Sequence, residues 1–153
     1  MNKLLGLILL AATAIATATA AEPLVSLDYE HSRRIPNQVV KIQIDDSGAL
    51  ALETKAADQK SPRASKLQIT PAQLAALKKE LPGVDWAKAK ADQVSGKDGT
   101  KVTLTYATKT VSLWSPDYDT GKRGLESVQK LLAQIFSLAG LEPSGMPAKA
   151  GKK

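Results

Sequence analysis

Residues 40–54, VKIQIDDSGALALET, decide the fold class of this chain. Every second position on both sides of the turn-forming segment 45–48 (DDSG) is apolar: Val40, Ile42, Ile44, Leu50 and Leu52. A period of two is typical of strands with one buried face, and Asp, Ser and Gly favour a tight turn. The stretch therefore predicts an antiparallel β-hairpin with one apolar face.

Three further stretches show the same alternation and predict three more strands. They are residues 25–31 (VSLDYEH), 102–106 (VTLTY) and 111–114 (VSLW), and the last two are close enough in sequence to form a second hairpin. The polar segment 55–66 (KAADQKSPRASK) contains Pro62 and few apolar residues, so we expect a mobile connection there.

The segment 69–81 (ITPAQLAALKKEL) specifies a first helix. Thr70 suits the N-cap, Pro71 suits the first helical position, and Gln73 completes a capping box. An apolar stripe follows at helical spacing: Leu74, Leu77 and Leu81. Pro82 and the glycine after it are expected to end this helix.

A second helix is predicted near the C-terminus by apolar residues at helical spacing: Leu125, Val128, Leu131, Leu132, Ile135 and Phe136. Gly140 fits the position just after this helix, where Leu141 can contact Phe136 in a Schellman ending. The order strand, hairpin, helix, hairpin, helix predicts an α+β fold. We expect a mostly antiparallel sheet of about five strands with two helices packed on one face.

Residues 1–20 have the three parts of a secretory signal peptide. A positive charge at Lys3 precedes the apolar run 4–12, and the small-residue triplet 18–20 (ATA) matches a cleavage site. An apolar run of about 9 residues is shorter than the roughly 20 that a membrane-spanning helix needs. We therefore expect cleavage after Ala20 and a periplasmic or secreted mature protein with no membrane span.

After cleavage, the chain is expected to consist of a single α+β domain, residues 21–141, and a disordered basic tail, residues 142–153 (EPSGMPAKAGKK). The tail contributes to the formal net charge of +6. Export and the lack of aromatic residues among the tail lysines argue against nucleic acid as a partner. Attraction of the tail to anionic cell-surface polymers stays open.

The composition excludes several kinds of site. The chain has no Cys and one His, which excludes Cys-ligated zinc, iron–sulfur clusters, disulfides, a thiol nucleophile, a lipid anchor on Cys and a His-rich metal centre. We therefore predict no cofactor and no metal.

Catalytic groups are also sparse. No G-x-S-x-G nucleophile motif accompanies the single imidazole, His31, which we interpret as a partly exposed residue at a strand end. The close carboxylate pairs, Asp45 with Asp46 and Asp117 with Asp119, lie in turn and loop sequences that Asp favours anyway. The second pair lacks the other ligands of an EF-hand loop. We expect no catalytic residue and a non-enzymatic protein.

The segment 114–121 (WSPDYDTG) is the best candidate for recognition. Its candidate partner-binding residues are Trp114, Asp117, Tyr118 and Asp119. Aromatic side chains on rigid loops dominate the energetics of many interfaces, so this segment could stack on a sugar or on a protein partner. It could equally be a packed connection in which Tyr118 covers an apolar edge.

The layout of the chain resembles that of small exported bacterial proteins of unknown role and, more distantly, that of emfourin-type inhibitors of thermolysin-like metalloproteases. The likeness rests on 69–81 followed by 84–86 (VDW), on 98–100 (DGT) opening 102–106, and on the closing Leu-rich helix. It covers roughly residues 24–138 as an arrangement of elements. The resemblance implies a similar fold and an inhibitor role, and it assigns no inhibitory loop to particular residues.

Small size, export and one aromatic loop lead to a functional hypothesis. The chain is expected to be an exported binding protein, an inhibitor or immunity-type antagonist of another protein in the cell envelope. The alternative is an envelope-associated structural protein whose basic tail binds anionic cell-surface polymers. A hydrolase built on paired carboxylates is the third hypothesis, and it needs a cleft that joins such a pair.

Overall fold

The computed structural model describes residues 22–32 and 38–142. Within this part the chain is α+β, with a six-stranded antiparallel sheet and four helices, of which two have seven residues or more. The strands are β1 Val25–Ser32, β2 Gln38–Ile44, β3 Ala49–Lys55, β4 Arg63–Gln68, β5 Gly99–Tyr106 and β6 Lys109–Trp114. The helices are α1 Pro71–Glu80, α2 Trp86–Ala91, α3 Thr120–Arg123 and α4 Glu126–Leu138, with a 3₁₀ turn at Leu81–Gly83. The predicted fold class is confirmed.

The strand order is β4-β3-β2-β1-β5-β6, and its register places the apolar residues on one face. Leu27 in β1 lies opposite Ile42 in β2 and Leu104 in β5. The buried side chains of this face come from five strands: Val25, Leu27, Tyr29, Val40, Ile42, Ile44, Leu50, Val102, Leu104, Val111 and Leu113. Because pairing keeps alternate residues on the same side, the predicted alternation becomes one continuous apolar surface that the helices cover.

The turn between β2 and β3 is held by one carboxylate. The backbone N–H and the hydroxyl of Ser47 donate to Asp45 Oδ1 at 2.8 and 2.6 Å, and the N–H of Ala49 donates to it at 3.0 Å. The Ser47 hydroxyl, together with backbone N–H groups, holds the pKa of Asp45 below its usual range. Gly48 has a φ of 83°, a conformation that other residues rarely adopt. The structure of the turn therefore explains why an Asp stands at position 45, without a functional role for its carboxylate.

The prediction of a mobile connection over residues 55–66 is wrong for its last third, because β4 begins at Arg63. β4 pairs with β3, with Leu67 opposite Leu50, and it is the edge strand of the sheet. All six of its residues are exposed, so the strand has no apolar face that could produce an alternating pattern. Backbone pairing with β3, which the sequence does not encode locally, makes it a strand.

The start of α1 is as predicted. The Thr70 hydroxyl accepts from the N–H of Gln73 at 3.2 Å, and the Gln73 side chain accepts from the N–H of Thr70 at 2.8 Å, which completes the capping box. A 3₁₀ turn follows, and then the short helix α2, which the sequence analysis did not anticipate. Asp85 caps α2 by accepting from the N–H of Lys88 at 2.9 Å. Trp86 is buried, and its indole N–H donates to the carbonyl of Leu81 at 3.0 Å.

The helix α4 lies beside α1 and ends in the expected Schellman motif. Gly140 has a φ of 69°, its N–H donates to Ser137, and the N–H of Leu141 donates to Phe136 at 2.9 Å. An ion pair of 2.8 Å between Lys130 and Glu80 connects the two helices at the surface. The predicted pair of long helices is therefore α1 and α4.

The predicted signal peptide, residues 1–20, and almost all of the predicted tail, residues 143–153, lie outside the described residues. In the described part of the chain, no helix combines the length and the apolar character needed to cross a bilayer.

Candidate functional site

The loop from Trp114 to Asp119, called the 114–119 loop below, joins the end of β6 to α3. Two of its residues adopt left-handed backbone conformations, with φ of 37° at Ser115 and 48° at Asp119. Ser115 forms two hydrogen bonds with Thr100 of β5, one as donor and one as acceptor. Its N–H donates to the carbonyl of Thr100 at 2.6 Å, and its hydroxyl accepts from the N–H of Thr100 at 3.1 Å. The loop is therefore a tightly bonded turn.

A buried arginine fixes the conformation of this loop. Arg123 Nε and Nη2 donate to the two carboxylate oxygens of Asp92 at 3.1 and 2.7 Å. Three further N–H groups of the guanidinium reach loop carbonyls at 2.7 to 2.9 Å, those of Trp114, Ser115 and Tyr118. A guanidinium has five N–H donors, so every one is used. The side chains of Arg123 and Asp92 are 7% and 6% exposed, and this pair is a buried ionic link between α3 and the end of α2.

The four predicted binding residues lie in three different places in the structure. Trp114 pairs with Lys101 of β5, which places it on the polar face of the sheet, and the Tyr118 ring lies edge-on to it at 6.3 Å. Asp117 lies on the helix side and lines a pocket. Asp119 forms a 3.6 Å ion pair with Lys122 at the surface. Only the two aromatic residues form a common surface.

The two aromatic residues differ in exposure. Tyr118 is 58% exposed, whereas Trp114 is only partly exposed. The segment around Gly96 packs so closely on the indole ring that a Cβ at this position would overlap it. Trp114 therefore supports the base of the loop, and Tyr118 is its projecting aromatic group.

Below the loop, on the helix side, is a pocket of about 310 Å³. It lies between the ends of β1 and β5, the loop and α4, and its lining includes Tyr29, His31, Thr100, Pro116, Asp117, Gln129, Leu132 and Phe136. Polar and apolar groups converge here, as in many small-molecule sites. Sequence reasoning placed His31 at a strand end but did not bring it to the same site as Asp117.

The polar groups of the pocket influence one another. The Tyr29 hydroxyl lies 3.4 Å from His31 Nδ1, and the Tyr29 ring meets Phe136 edge-on at 5.3 Å. Burial raises the pKa of the Tyr29 hydroxyl above its ordinary value of about 10, and the negative charge of Asp117 raises it further. The field of the Asp117 carboxylate therefore reaches the Tyr29 hydroxyl.

The described residues contain no cluster of three or more His, Asp or Glu side chains that could hold a metal ion. The carboxylate pair Asp117 and Asp119 is divided between the pocket and the surface ion pair. The site therefore offers two groups for binding: one exposed aromatic ring on a fixed loop, and one acidic group at the mouth of a small pocket.

No protein-family model matches the chain, and no curated protein is significantly similar to it. The loop and the pocket below it are therefore the features of the molecule that bear on its function.

Proposed function

We propose that this chain is an exported binding protein that recognises another protein in the cell envelope through Tyr118 and the surface around it. The observation that supports this most strongly is the fixed loop below an exposed aromatic ring. Tyr118 is 58% exposed, while its own carbonyl is bonded to the buried guanidinium of Arg123 at 2.9 Å. Burying an aromatic ring that is already held in place costs little ordering entropy, so it is a favourable interface anchor.

The fixed loop also favours one kind of binding protein. Inhibitors and antagonists usually bind with little movement of the interface backbone, because a preorganised loop keeps its shape on contact. Three hydrogen bonds from Arg123 hold carbonyls of the 114–119 loop, and two more fix the guanidinium on Asp92, so the loop has this property. The proposal of an inhibitor or immunity-type antagonist is consistent with the distant resemblance in layout to emfourin-type inhibitors.

The first experiment is affinity capture with the mature chain, residues 21–153, from secreted and envelope fractions, followed by identification of the retained protein. The dissociation constant is then measured with the purified partner. Tyr118→Ala is expected to weaken binding about thirtyfold, which corresponds to about 2 kcal/mol for an interface anchor.

The matched control is Leu67→Ala. Leu67 is 41% exposed and lies on β4, at the opposite edge of the sheet from β6, so its replacement should leave binding unchanged. Equal losses from the two variants, or no loss from Tyr118→Ala, would contradict the proposed surface. Retention of anionic polymers alone, abolished when residues 142–153 are removed, would instead support the envelope-associated alternative.

A further inference from the structure

The pocket on the helix side of the 114–119 loop is chemically distinct from the Tyr118 surface. Its volume of about 310 Å³ corresponds to roughly ten water molecules, which suits a small ligand or one long side chain. Its inner wall contains the aromatic rings of Tyr29 and Phe136, and Asp117 lies in the loop above them. The pocket therefore has an apolar interior and a polar mouth.

Apart from the His31 imidazole, the ionisable charge that lines this pocket has one sign. Among the described residues that line it, Asp117 is the one carboxylate and none is Lys or Arg. Gln129 and Thr100 add neutral groups that can accept hydrogen bonds. The two basic side chains that follow the loop are already paired: Lys122 lies near Asp119 at the surface, and Arg123 is neutralised by Asp92 and bonded to loop carbonyls. The lining thus favours positive charge in a ligand.

The aromatic wall of the pocket also favours a positively charged ligand. Aromatic rings attract cations through the negative potential of their faces, and an aliphatic stem gains by leaving water for an apolar wall. Asp117 also contributes to the raised pKa of the Tyr29 hydroxyl, so its negative charge acts on a group of the aromatic wall.

We propose that this pocket binds an organic cation, an ammonium or guanidinium group on a short aliphatic stem, with Asp117 as its counter-charge. The stem lies against Tyr29 and Phe136, and the cation lies at the loop. The cation is either a free amine or the side chain of a Lys or Arg residue. This site goes beyond the protein-recognition role, because it depends on Asp117 and not on Tyr118.

The test is an NMR chemical-shift titration of the ¹⁵N-labelled mature chain at about 0.15 M salt, where screening weakens attraction to isolated surface charges. The probes are n-butylammonium and, for the peptide source, Nα-acetyl-lysine N-methylamide. The neutral n-butanol and the anionic butyrate are the controls. Saturable shifts of the Thr100, Asp117 and Gln129 amides are expected with the cations, and at least about tenfold weaker binding with n-butanol.

Two isosteric variants identify the counter-charge. Asp117→Asn is expected to weaken cation binding about tenfold, whereas Asp119→Asn, in the same loop but outside the pocket lining, should leave it unchanged. Both residues are exposed, so both variants are expected to fold, and circular dichroism checks this. Tighter binding of one cation than the other identifies the source.

Three outcomes would overturn the proposal: no saturable shift with either cation, equal binding of n-butanol, or equal losses from the two variants. Because neither variant alters Tyr118, failure here leaves the protein-recognition test to be judged by itself.

Discussion

Removing the side chain of Arg123 should destabilise the whole domain and not only the loop. Arg123→Met leaves the carboxylate of Asp92, 6% exposed, without its ionic partner, and it removes the guanidinium donor from three loop carbonyls, of which that of Ser115 keeps the N–H of Tyr118. Removing one partner of a buried ion pair costs about 3–5 kcal/mol because the other charge stays buried. We expect a loss of about 4 kcal/mol in the free energy of unfolding, a large part of the roughly 5–15 kcal/mol of a typical domain.

A second variant separates the buried charge from the loop bonds. In Asp92→Leu combined with Arg123→Met no charge is left buried, and only the bonds to the three carbonyls are lost. Each of these contributes about 0.5–1.5 kcal/mol, so the double variant should lose about 3 kcal/mol, less than the single variant. If Arg123→Met does not fold, Arg123→Lys replaces it in the assay. This variant keeps the positive charge but not the planar set of donors, so its loss of stability should be smaller than that of Arg123→Met but still measurable.

The assay is urea unfolding at pH 7, followed by tryptophan fluorescence and far-UV circular dichroism, whose coincidence tests for a two-state transition. Lys130→Met is the control. It breaks the 2.8 Å ion pair with Glu80, but its side chain is 69% exposed, so the loss should be below about 1 kcal/mol. The reasoning would be refuted by an equal loss from Arg123→Met and Lys130→Met, or by a double variant less stable than Arg123→Met.

Two further predictions use the same unfolding assay. The raised pKa of Tyr29 means that above about pH 10 the unfolded state loses a proton that the native state keeps. The free energy of unfolding should therefore fall as pH rises through this range, and it should fall less steeply in Tyr29→Phe. An equal slope in the variant and the unaltered protein would contradict this prediction. Gly96→Ala should cost about 1–3 kcal/mol and alter tryptophan emission, because its Cβ overlaps the Trp114 ring. Gly83→Ala, with open space around its Cβ, should change stability by less than about 0.5 kcal/mol; equal effects would contradict the overlap.

The elements that sequence reasoning predicted correctly are those with local physical causes. The capping box at Thr70 and the glycine ending at Gly140 each depend on residues within five positions of one another. The alternation of residues 40–44 and 50–52 was enough to predict a hairpin whose apolar residues face one side. Such patterns survive in the fold because tertiary packing reinforces them.

The elements that it missed lack such a pattern. β4 has two exposed faces, so neither an apolar alternation nor a helical stripe identifies it. The helix α2 has only six residues, and its buried positions are Trp86 and Ala89. An isolated helix of this length is not stable in water, so its existence depends on packing against the sheet.

The candidate site was predicted in the same partial way. The sequence identified the segment 114–121 and its aromatic residues, although α3 already begins at Thr120, and it placed His31 at a strand end. It did not identify Arg123 or Asp92, which are 31 positions apart and whose side-chain types are common on surfaces. The only local sign of this pair was the position of Arg123, four residues after the end of the aromatic loop.

The sequence by itself determined the α+β class, the apolar face of the sheet, the two long helices and the loop with an aromatic residue at its tip. These features follow from spacing, turn residues and caps, which act over a few positions. Only the tertiary structure decided that Arg123 and Asp92 form a buried pair below that loop, and that Tyr29, His31 and Asp117 line one pocket. Contacts between distant residues depend on how the sheet pairs and how the helices pack, so no local pattern reveals them.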